Sequence, residues 1–292
     1  MSISASMVKE LRERTGAGMM ECKKALVDSN GDLDSAIELL RTTGQAKAEK
    51  KAKRIAAEGR IIIKSDTKHT VILEINSETD FVANDSNFIN FAESVAESIL
   101  DNEISDLESL NKINLNSGTN IEMARTDLIA KIGENISIRR FDRIKQCDNM
   151  GLYTHGARIG VVVSLSGGDE EISKDIAMHV AASNPICIDN EGVPEELVSR
   201  EKRIFQEQAA SSGKPPEIVE KMIEGRMKKF FKEVTLLGQP FIKNPDISVN
   251  DLLNESNAEI IGYKRYEVGE GIEKKEENFA DEVMAQIKGN ES

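Results

Sequence analysis

Apolar residues recur with helical spacing through the N-terminal part of the chain, in three runs separated by glycine-containing breaks. We predict helices from about Ala5 to Thr15 and from Met19 to Ser29, then a third that is capped by Asp32 or Asp34 and stops at Gly44. Three helices in ~40 residues make a bundle near the lower size limit for independent folding. The next stretch, residues 47–54, is basic and has no aromatic residue, so we interpret it as a solvated linker rather than a nucleic-acid site.

The pattern changes to β-branched runs after this linker, and then returns to helical spacing. The polar stretch from Asp101 to Asn120 lacks a regular pattern, and we place it on the surface. The predicted elements of this unit are a hairpin of strands 61–63 and 70–75, a helix over 86–100, a helix over 121–132 that ends at Gly133, and a strand over 136–141.

A second unit repeats this order of elements. We predict a strand over 158–165 and a helix over 170–183, with the unit beginning near Gly151. The octets Phe91–Ser98 and Ile176–Ser183 share the pattern apolar-Ala-x-x-Val-Ala-x-Ser, each in the helix that follows a strand. These matches indicate an internal duplication of an α+β unit.

Two long helical runs, 195–211 and 217–235, flank a turn that contains Gly213 and two prolines. Each run has an apolar seam, which predicts a helical hairpin and an antiparallel coiled coil. The chain then returns through a short helix, 249–255, to a strand, 259–268, that we expect to join the second sheet. A final helix is predicted over 278–287.

The predicted fold class is therefore α+β: an N-terminal three-helix bundle, a duplicated α+β core, an antiparallel coiled-coil hairpin and a C-terminal helix. The predicted division of the chain is residues 1–54 for the bundle and linker, 55–146 for the first core subdomain, 147–194 with 236–268 for the second, 195–235 for the hairpin, and 269–292 for a C-terminal module.

The connection between the first unit's central strand and its helix draws attention to Phe81. Phe81 and Val82 fall outside both the strand pattern and the helix pattern, and Phe81 follows the charged Asp80. Two interpretations stay open at this point. Phe81 is either a recognition tip or a core residue that folds under the loop, as most aromatic residues do.

Composition narrows the classes of partner. The chain carries 38 Lys and Arg residues against 51 Asp and Glu, a net charge of −13, which disfavours nucleic acid and anionic membranes as main partners. No apolar run approaches the ~20 residues of a membrane span, and no signal peptide is recognised. Three scattered cysteines fit reduced thiols. We expect a cytoplasmic protein.

Catalytic chemistry is weakly indicated. His69, His155 and His179 are scattered and no cysteine pair is close, so we expect no metal site and no cofactor. A phosphate-binding glycine loop is also missing, so we expect no direct nucleotide binding. The one enzyme-like alternative is a small-substrate enzyme that uses Glu78 and Asp80 with His155.

Two long motifs resemble the bacterial elongation factor Ts family. The first, residues 11–26, reads LRERTGAGMMECKKAL, and the second, residues 74–83, reads EINSETDFVA. The segments GRMKK at 225–229 and YEVGEGIE at 266–273 are similar as well, so the resemblance covers essentially the whole chain. Asn84 stands where the family often has a basic residue, which bears on a local charge contact.

The resemblance implies a guanine-nucleotide exchange factor for elongation factor Tu, with a ubiquitin-associated-like bundle and a protruding coiled coil. By position, it implies a magnesium-dislocation loop formed by Thr79, Asp80, Phe81 and Val82. It implies further partner contacts at Arg12, Met19, Met20, Lys23, Ile132, Gly133 and His155. For His155, a purely structural role in its loop is an equal alternative.

The resemblance also implies how the loop acts. Phe81 would enter a crevice between helices of the partner, displace one, and loosen the magnesium ion that bridges nucleotide and protein. Factor and GDP would then weaken each other's binding by the same factor. A homodimer of this chain within the complex is left open.

Overall fold

The computed structural model, which describes residues 3–210 and 215–273, begins with a bundle of three helices. They are α1 (Ala5–Thr15), α2 (Met19–Asp28) and α3 (Leu33–Lys51). The side chains of Ser4 and Asp32 cap α1 and α3 by accepting backbone N–H hydrogen bonds, which confirms the predicted starts. The bundle's own core consists of Val8, Leu11, Cys22, Ala25, Leu26 and Ala36.

Helix α3 does not stop at Gly44 as predicted but continues to Lys51, so most of the predicted linker, residues 47–54, is helical. Glycine within a helix costs roughly 1 kcal/mol relative to alanine. Here it permits close packing, because a Cβ atom on Gly44 would lie 3.4 Å from the Cβ of Ala130 on a later helix. Ala48, one turn further along, is buried in the core of the first sheet. Tertiary packing therefore overrides the break that glycine predicts.

The first unit is built on an antiparallel sheet of order β1-β2-β3, in which the predicted hairpin is confirmed. Phe88, Phe91 and Val95 on one face of its long helix pack against the sheet, as the periodicity predicts. The strands are β1 (Glu58–Ser65), β2 (His69–Ser77) and β3 (Ile136–Lys145), and the helices are α4 (Asp80–Ala83), α5 (Ser86–Asp101), α6 (Leu107–Asn111) and α7 (Ile121–Ile132).

The stretch from 101 to 120 is not simply surface, contrary to the prediction. It contains the short helix α6, and Ile104, Leu110 and Leu115 are buried in the core of the first unit. These apolar residues are too widely and irregularly spaced to produce a periodic pattern. Leu110 lies on α6, whereas Ile104 and Leu115 are buried from the irregular segments on either side of it, and a periodicity test does not detect such a set.

The second unit has a sheet of order β4-β5-β8, and its returning strand joins the sheet as predicted. The predicted strand and helix after Gly151 are confirmed, whereas β4 was not predicted, because its exposed edge lacks an apolar alternation. The elements are β4 (Asn149–His155), β5 (Ile159–Gly167), α8 (Glu170–Ser183), a 3₁₀ turn (Asn190–Gly192), β6 (Pro240–Phe241), β7 (Asn244–Ser248), α11 (Val249–Glu255) and β8 (Ala258–Glu267).

Between these elements lie two long helices, α9 (Glu195–Ala210) and α10 (Pro216–Val234), which confirm the two predicted helical runs. The guanidinium carbon of Arg226 on α10 lies 5.8 Å from the centroid of the Phe205 ring on α9, within the ~6 Å of a cation–π contact. The turn that joins them falls partly on residues 211–214, outside the described residues. That the pair forms a coiled coil stays a prediction.

The two sheets pack against each other through one small cluster. Ile61 and Ile72 from the first sheet meet Val162 and Tyr266 from the second. The fold is thus mixed α+β, with helices around small antiparallel sheets. The predicted helix over 278–287 lies outside the described residues. Within the described ranges, no helix is both long and apolar enough to cross a membrane.

Candidate partner-binding surface

The connection after β2 forms a single helical turn, α4, rather than an irregular loop. Thr79 has an extended backbone and caps the turn, because its Oγ1 accepts a hydrogen bond from the N–H of Val82 at 3.4 Å. Asp85 then caps α5. The Asn87 side-chain amide, followed by backbone N–H groups of Asn87 and Phe88, holds the pKa of Asp85 below its ordinary value. Both ends of the connection are therefore fixed by caps.

Phe81 projects from this turn with 85% of its surface exposed. The interpretation of Phe81 as a core residue is therefore wrong for the chain on its own. Asp80 is exposed beside it, Val82 is half-buried against the first core, and Ala83 is buried. Val82 and Ala83 therefore hold the turn against the first unit, while Asp80 and Phe81 expose a carboxylate and an aromatic ring to solvent.

Arg60 on β1 supports the far end of the turn. Its Nη1 donates to the carbonyl of Ala83 and to Oδ1 of Asn84, both at 3.1 Å. The side-chain amide of Asn84 in turn donates to the carbonyl of Asp80 at 2.8 Å. Asn84 therefore serves as a neutral bridge within the turn, at the position where the resembled family often has a basic residue.

A second segment, at the end of α7, lies against the turn. Ile132 is half-buried on the first core, and Gly133 ends the helix with φ 91°, a left-handed conformation that favours glycine. The carboxylate of Glu134 binds Thr79, and the backbone N–H of Asn135 donates to Glu78 at 2.6 Å. The structure therefore brings Ile132 and Gly133 to the base of the Phe81 turn.

The proposed contacts on the bundle lie on its surface. Met19 and Met20 open α2 with 60% and 76% of their surfaces exposed, and Lys23 is exposed one turn later. Arg12 on α1 is exposed as well. The end of α3 joins this bundle to the α7 segment, because Lys51 Nζ donates to the carbonyl of Gly133.

His155 is exposed at the end of β4, where its Nδ1 lies 3.3 Å from the hydroxyl of Tyr153 and the two rings stack. The turn after it contacts β1, since the N–H of Ile61 donates to the carbonyl of Ala157 at 2.9 Å. Arg158 also pairs with Glu58, which lies opposite Ser77, the last residue of β2 before the Phe81 turn. His155 is therefore on the same end of the molecule as the turn.

The enzyme-like group of Glu78, Asp80 and His155 does not form a catalytic arrangement. Glu78 is occupied by Asn135 and by Arg54, whose Nη1 lies 3.3 Å from its Oε2. The carboxylate thus has a structural role. In the part of the chain that the structure describes, no group of three or more His, Cys, Asp or Glu residues is arranged to hold a metal ion.

Sequence reasoning missed Glu134, which makes two hydrogen bonds to the residue that caps the Phe81 turn. One local signal was available. Glu134 directly follows the C-terminus of α7, where the helix dipole disfavours negative charge, so an acidic residue there calls for a partner elsewhere. The identity of that partner, 55 residues earlier, is not encoded in any local pattern.

Comparison with known proteins gives consistent matches over nearly the whole length. The family profile described as "Elongation factor TS" matches residues 78–270. Elongation factor Ts of Thioalkalivibrio sulfidiphilus is 56% identical over 293 residues, covering 99% of this chain and 100% of the relative. Elongation factor Ts of Legionella pneumophila (strain Paris) is 58% identical, covering 98% and 99%. That of Halorhodospira halophila is 55% identical, covering 99% of each.

Proposed function

The chain belongs to the elongation factor Ts family, and from that premise we propose that it is a guanine-nucleotide exchange factor for elongation factor Tu. The observation that carries the proposal is the exposure of Phe81, 85% of whose surface is free at the tip of a capped turn. An exposed aromatic ring costs solubility and gains nothing for the isolated fold. Its use is in a partner, where a phenyl ring is a common anchor of binding energy.

In the proposed mechanism, Thr79, Asp80, Phe81 and Val82 form the magnesium-dislocation loop. Phe81 inserts between helices of the partner's nucleotide-binding domain and stabilises a displaced arrangement of them. That displacement loosens the magnesium ion that joins GDP to the partner. The ring's contact energy is used to favour the distorted partner rather than only to hold the complex.

The other exposed residues supply affinity. Met19 and Met20 offer adaptable apolar contacts, and the exposed Arg12 and Lys23 add charge to the surface of the bundle. Ile132 and Gly133 lie at the base of the turn, and His155 is at the same end of the molecule. We propose that these residues touch the partner while Phe81 acts, and that GDP binds to the partner alone.

The exchange factor and GDP then compete through the partner's conformation. By linkage, the factor weakens GDP binding by the same ratio as GDP weakens binding of the factor. The geometry disfavours the enzyme alternative, because the carboxylate of Glu78 is held by Asn135 and Arg54.

A stopped-flow experiment tests the proposal. Elongation factor Tu loaded with fluorescent GDP is mixed with excess unlabelled GDP, with and without increasing amounts of this protein. We expect release of the label to accelerate and to saturate with concentration. An equally acidic unrelated protein serves as control. Release that stays at the spontaneous rate at every concentration would overturn the proposal.

A further inference from the structure

The short helix that carries Phe81 cannot hold its own shape. It spans only Asp80–Ala83, and isolated helices shorter than ~12–15 residues are marginal in water because nucleation is unfavourable. The orientation of Phe81 therefore depends on bonds from outside the turn. Arg60 holds the far end of the turn through Ala83 and Asn84, and the start of the turn is held at Thr79, the residue that caps it.

Glu134 binds Thr79 through both of its carboxylate oxygens. Oε2 accepts the backbone N–H of Thr79 at 2.9 Å, and Oε1 accepts its hydroxyl at 2.7 Å. The pair of bonds fixes the backbone and the side chain of the same residue. Hydrogen bonds to an ionised acceptor are about twice as strong as neutral ones, so this contact is the strongest that the turn's cap makes.

The direction of the Thr79 hydroxyl follows from this contact. Because its proton is donated to Glu134, a lone pair of Oγ1 is left to face the N–H of Val82, which lies 3.4 Å away. The cap of α4 is thereby oriented by Glu134. A neutral amide at position 134 offers one acceptor and turns an NH₂ group toward a second donor.

A second carboxylate, that of Glu78, binds the segment after α7 in return. Glu78 accepts the N–H of Asn135, and the Asn135 side chain donates to the carbonyl of Arg54 at 2.7 Å. Residues 78–79 and 134–135 are thus bound reciprocally, next to the end of α3.

We propose that Glu134 is a positioning residue that holds the Asp80–Phe81 turn in the orientation required for insertion into the partner. This inference rests on the proposed exchange function. It assigns to Glu134 no contact with the partner or with GDP. Its effect on exchange passes through Phe81.

The test is a double-mutant cycle on the maximal rate of GDP release, using the intact chain, Glu134→Gln, Phe81→Ala and the double variant. We expect Glu134→Gln to lower the saturating rate about tenfold, as loss of a charge-assisted hydrogen bond predicts. The concentration that gives half the maximal rate should change much less, because the bundle contacts are intact. The double variant should be no slower than Phe81→Ala.

A control and a second variant guard against a general loss of structure. Asp106 also accepts an N–H and a hydroxyl from one residue, Ser109, at 2.8 and 2.9 Å, but at the start of α6. Asp106→Asn should leave the release rate unchanged. Thr79→Val removes the hydroxyl that donates to Glu134 and accepts the N–H of Val82. It should slow release at least as much as Glu134→Gln, and it carries the test if that variant does not fold.

The outcomes separate the two claims. Failure of the intact chain to accelerate release overturns the exchange function and this inference with it. If the intact chain is active and Phe81→Ala is slow, wild-type rates for Glu134→Gln overturn the positioning role alone. Multiplicative effects in the double variant also overturn it, because Glu134 would then act independently of Phe81.

Discussion

Glu74, on the central strand β2, is a fully buried carboxylate at the junction of three chain segments. Arg139 and Arg140 on β3 donate to it at 2.9 and 2.6 Å, and the N–H of Gly269 donates at 2.9 Å from the segment after β8. A buried charge is tolerated only when such bonds replace its hydration. Glu74 therefore links the first sheet to the chain that leaves the second.

Removing this charge should destabilise the fold. Glu74→Gln keeps the shape of the side chain but leaves Arg139 without its carboxylate partner and Arg140 with Glu270 alone. We expect the free energy of unfolding in urea at pH 7 to fall by about 3 kcal/mol, the low end for a broken buried pair because both arginines are partly exposed. Glu108→Gln, which removes an exposed pair with Lys112, is the matched control and should leave the curve nearly unchanged.

The same residue predicts an acid dependence. Burial raises the pKa of Glu74, but the hydrogen bonds from Gly269, Arg139 and Arg140 together outweigh it and leave the pKa below the ordinary 4.5. The unfolded chain thus takes up the proton first. The contribution of Glu74 is complete above about pH 4.5 and is lost as the pH falls through the lower folded value. The difference in free energy of unfolding between the intact chain and Glu74→Gln should therefore become smaller as the pH falls below about 4.5. A difference that does not change with pH would contradict a lowered pKa for Glu74.

Among the elements, α3 has two roles along its length. Its first part belongs to the bundle, where Ala36 is in the core, and its last part packs on α7 through Gly44 and Ala48. Lys47 pairs with Glu21 of α2, midway between the two regions. The helix thus fixes the Met19–Met20 surface to the unit that carries Phe81, in place of the solvated linker that was predicted.

Two truncations separate these roles. Removal of residues 1–42 keeps Gly44 and Ala48, so the melting temperature of the remainder should stay near that of the intact chain. Removal of residues 1–52 opens the first core, and we expect melting about 5 °C or more lower, since each ~1 kcal/mol corresponds to roughly 2–4 °C at this size. Both should need more protein to reach half-maximal exchange. Equal melting temperatures for the two would show that the end of α3 is not part of the core.

The sequence predicted the elements whose pattern is regular and long. Helix α5 was found from its periodic apolar face, strand β2 from its run of β-branched and apolar residues, and the end of α7 from Gly133. Helix α6 was missed because the buried residues around it do not recur at a regular spacing. Helix α3 was predicted too short because glycine usually ends a solvent-exposed helix, whereas here it lets the helix pack closely against a neighbour. The exposure of Phe81 and the partner of Glu134 depend on which distant segments meet, and hydrophobic periodicity carries no information about that.

At the scale of the whole molecule, the two sheet units differ in the connection that leads from the central strand to the following helix. In the second unit, β5 passes to α8 through residues 168–169 alone, whereas in the first, β2 passes to α5 through residues 78–85. If the units arose by duplication, as we infer, the longer connection is the part that the first unit has added or kept for function. It contains the turn that presents Phe81, and α3 and the β4–β5 turn lie beside it.

The most direct measurement of the central claim is the rate of GDP release from elongation factor Tu with Phe81→Ala, at saturating concentrations, beside the melting temperature of the same sample. Because the ring is exposed, melting should be nearly unchanged. Release should slow by roughly one to two orders of magnitude, since each ~1.4 kcal/mol lost from the distorted complex is tenfold. Ile261→Ala, which truncates another exposed apolar residue, is the control for general surface effects. A release rate equal to that of the intact chain, with melting unchanged, would contradict the account.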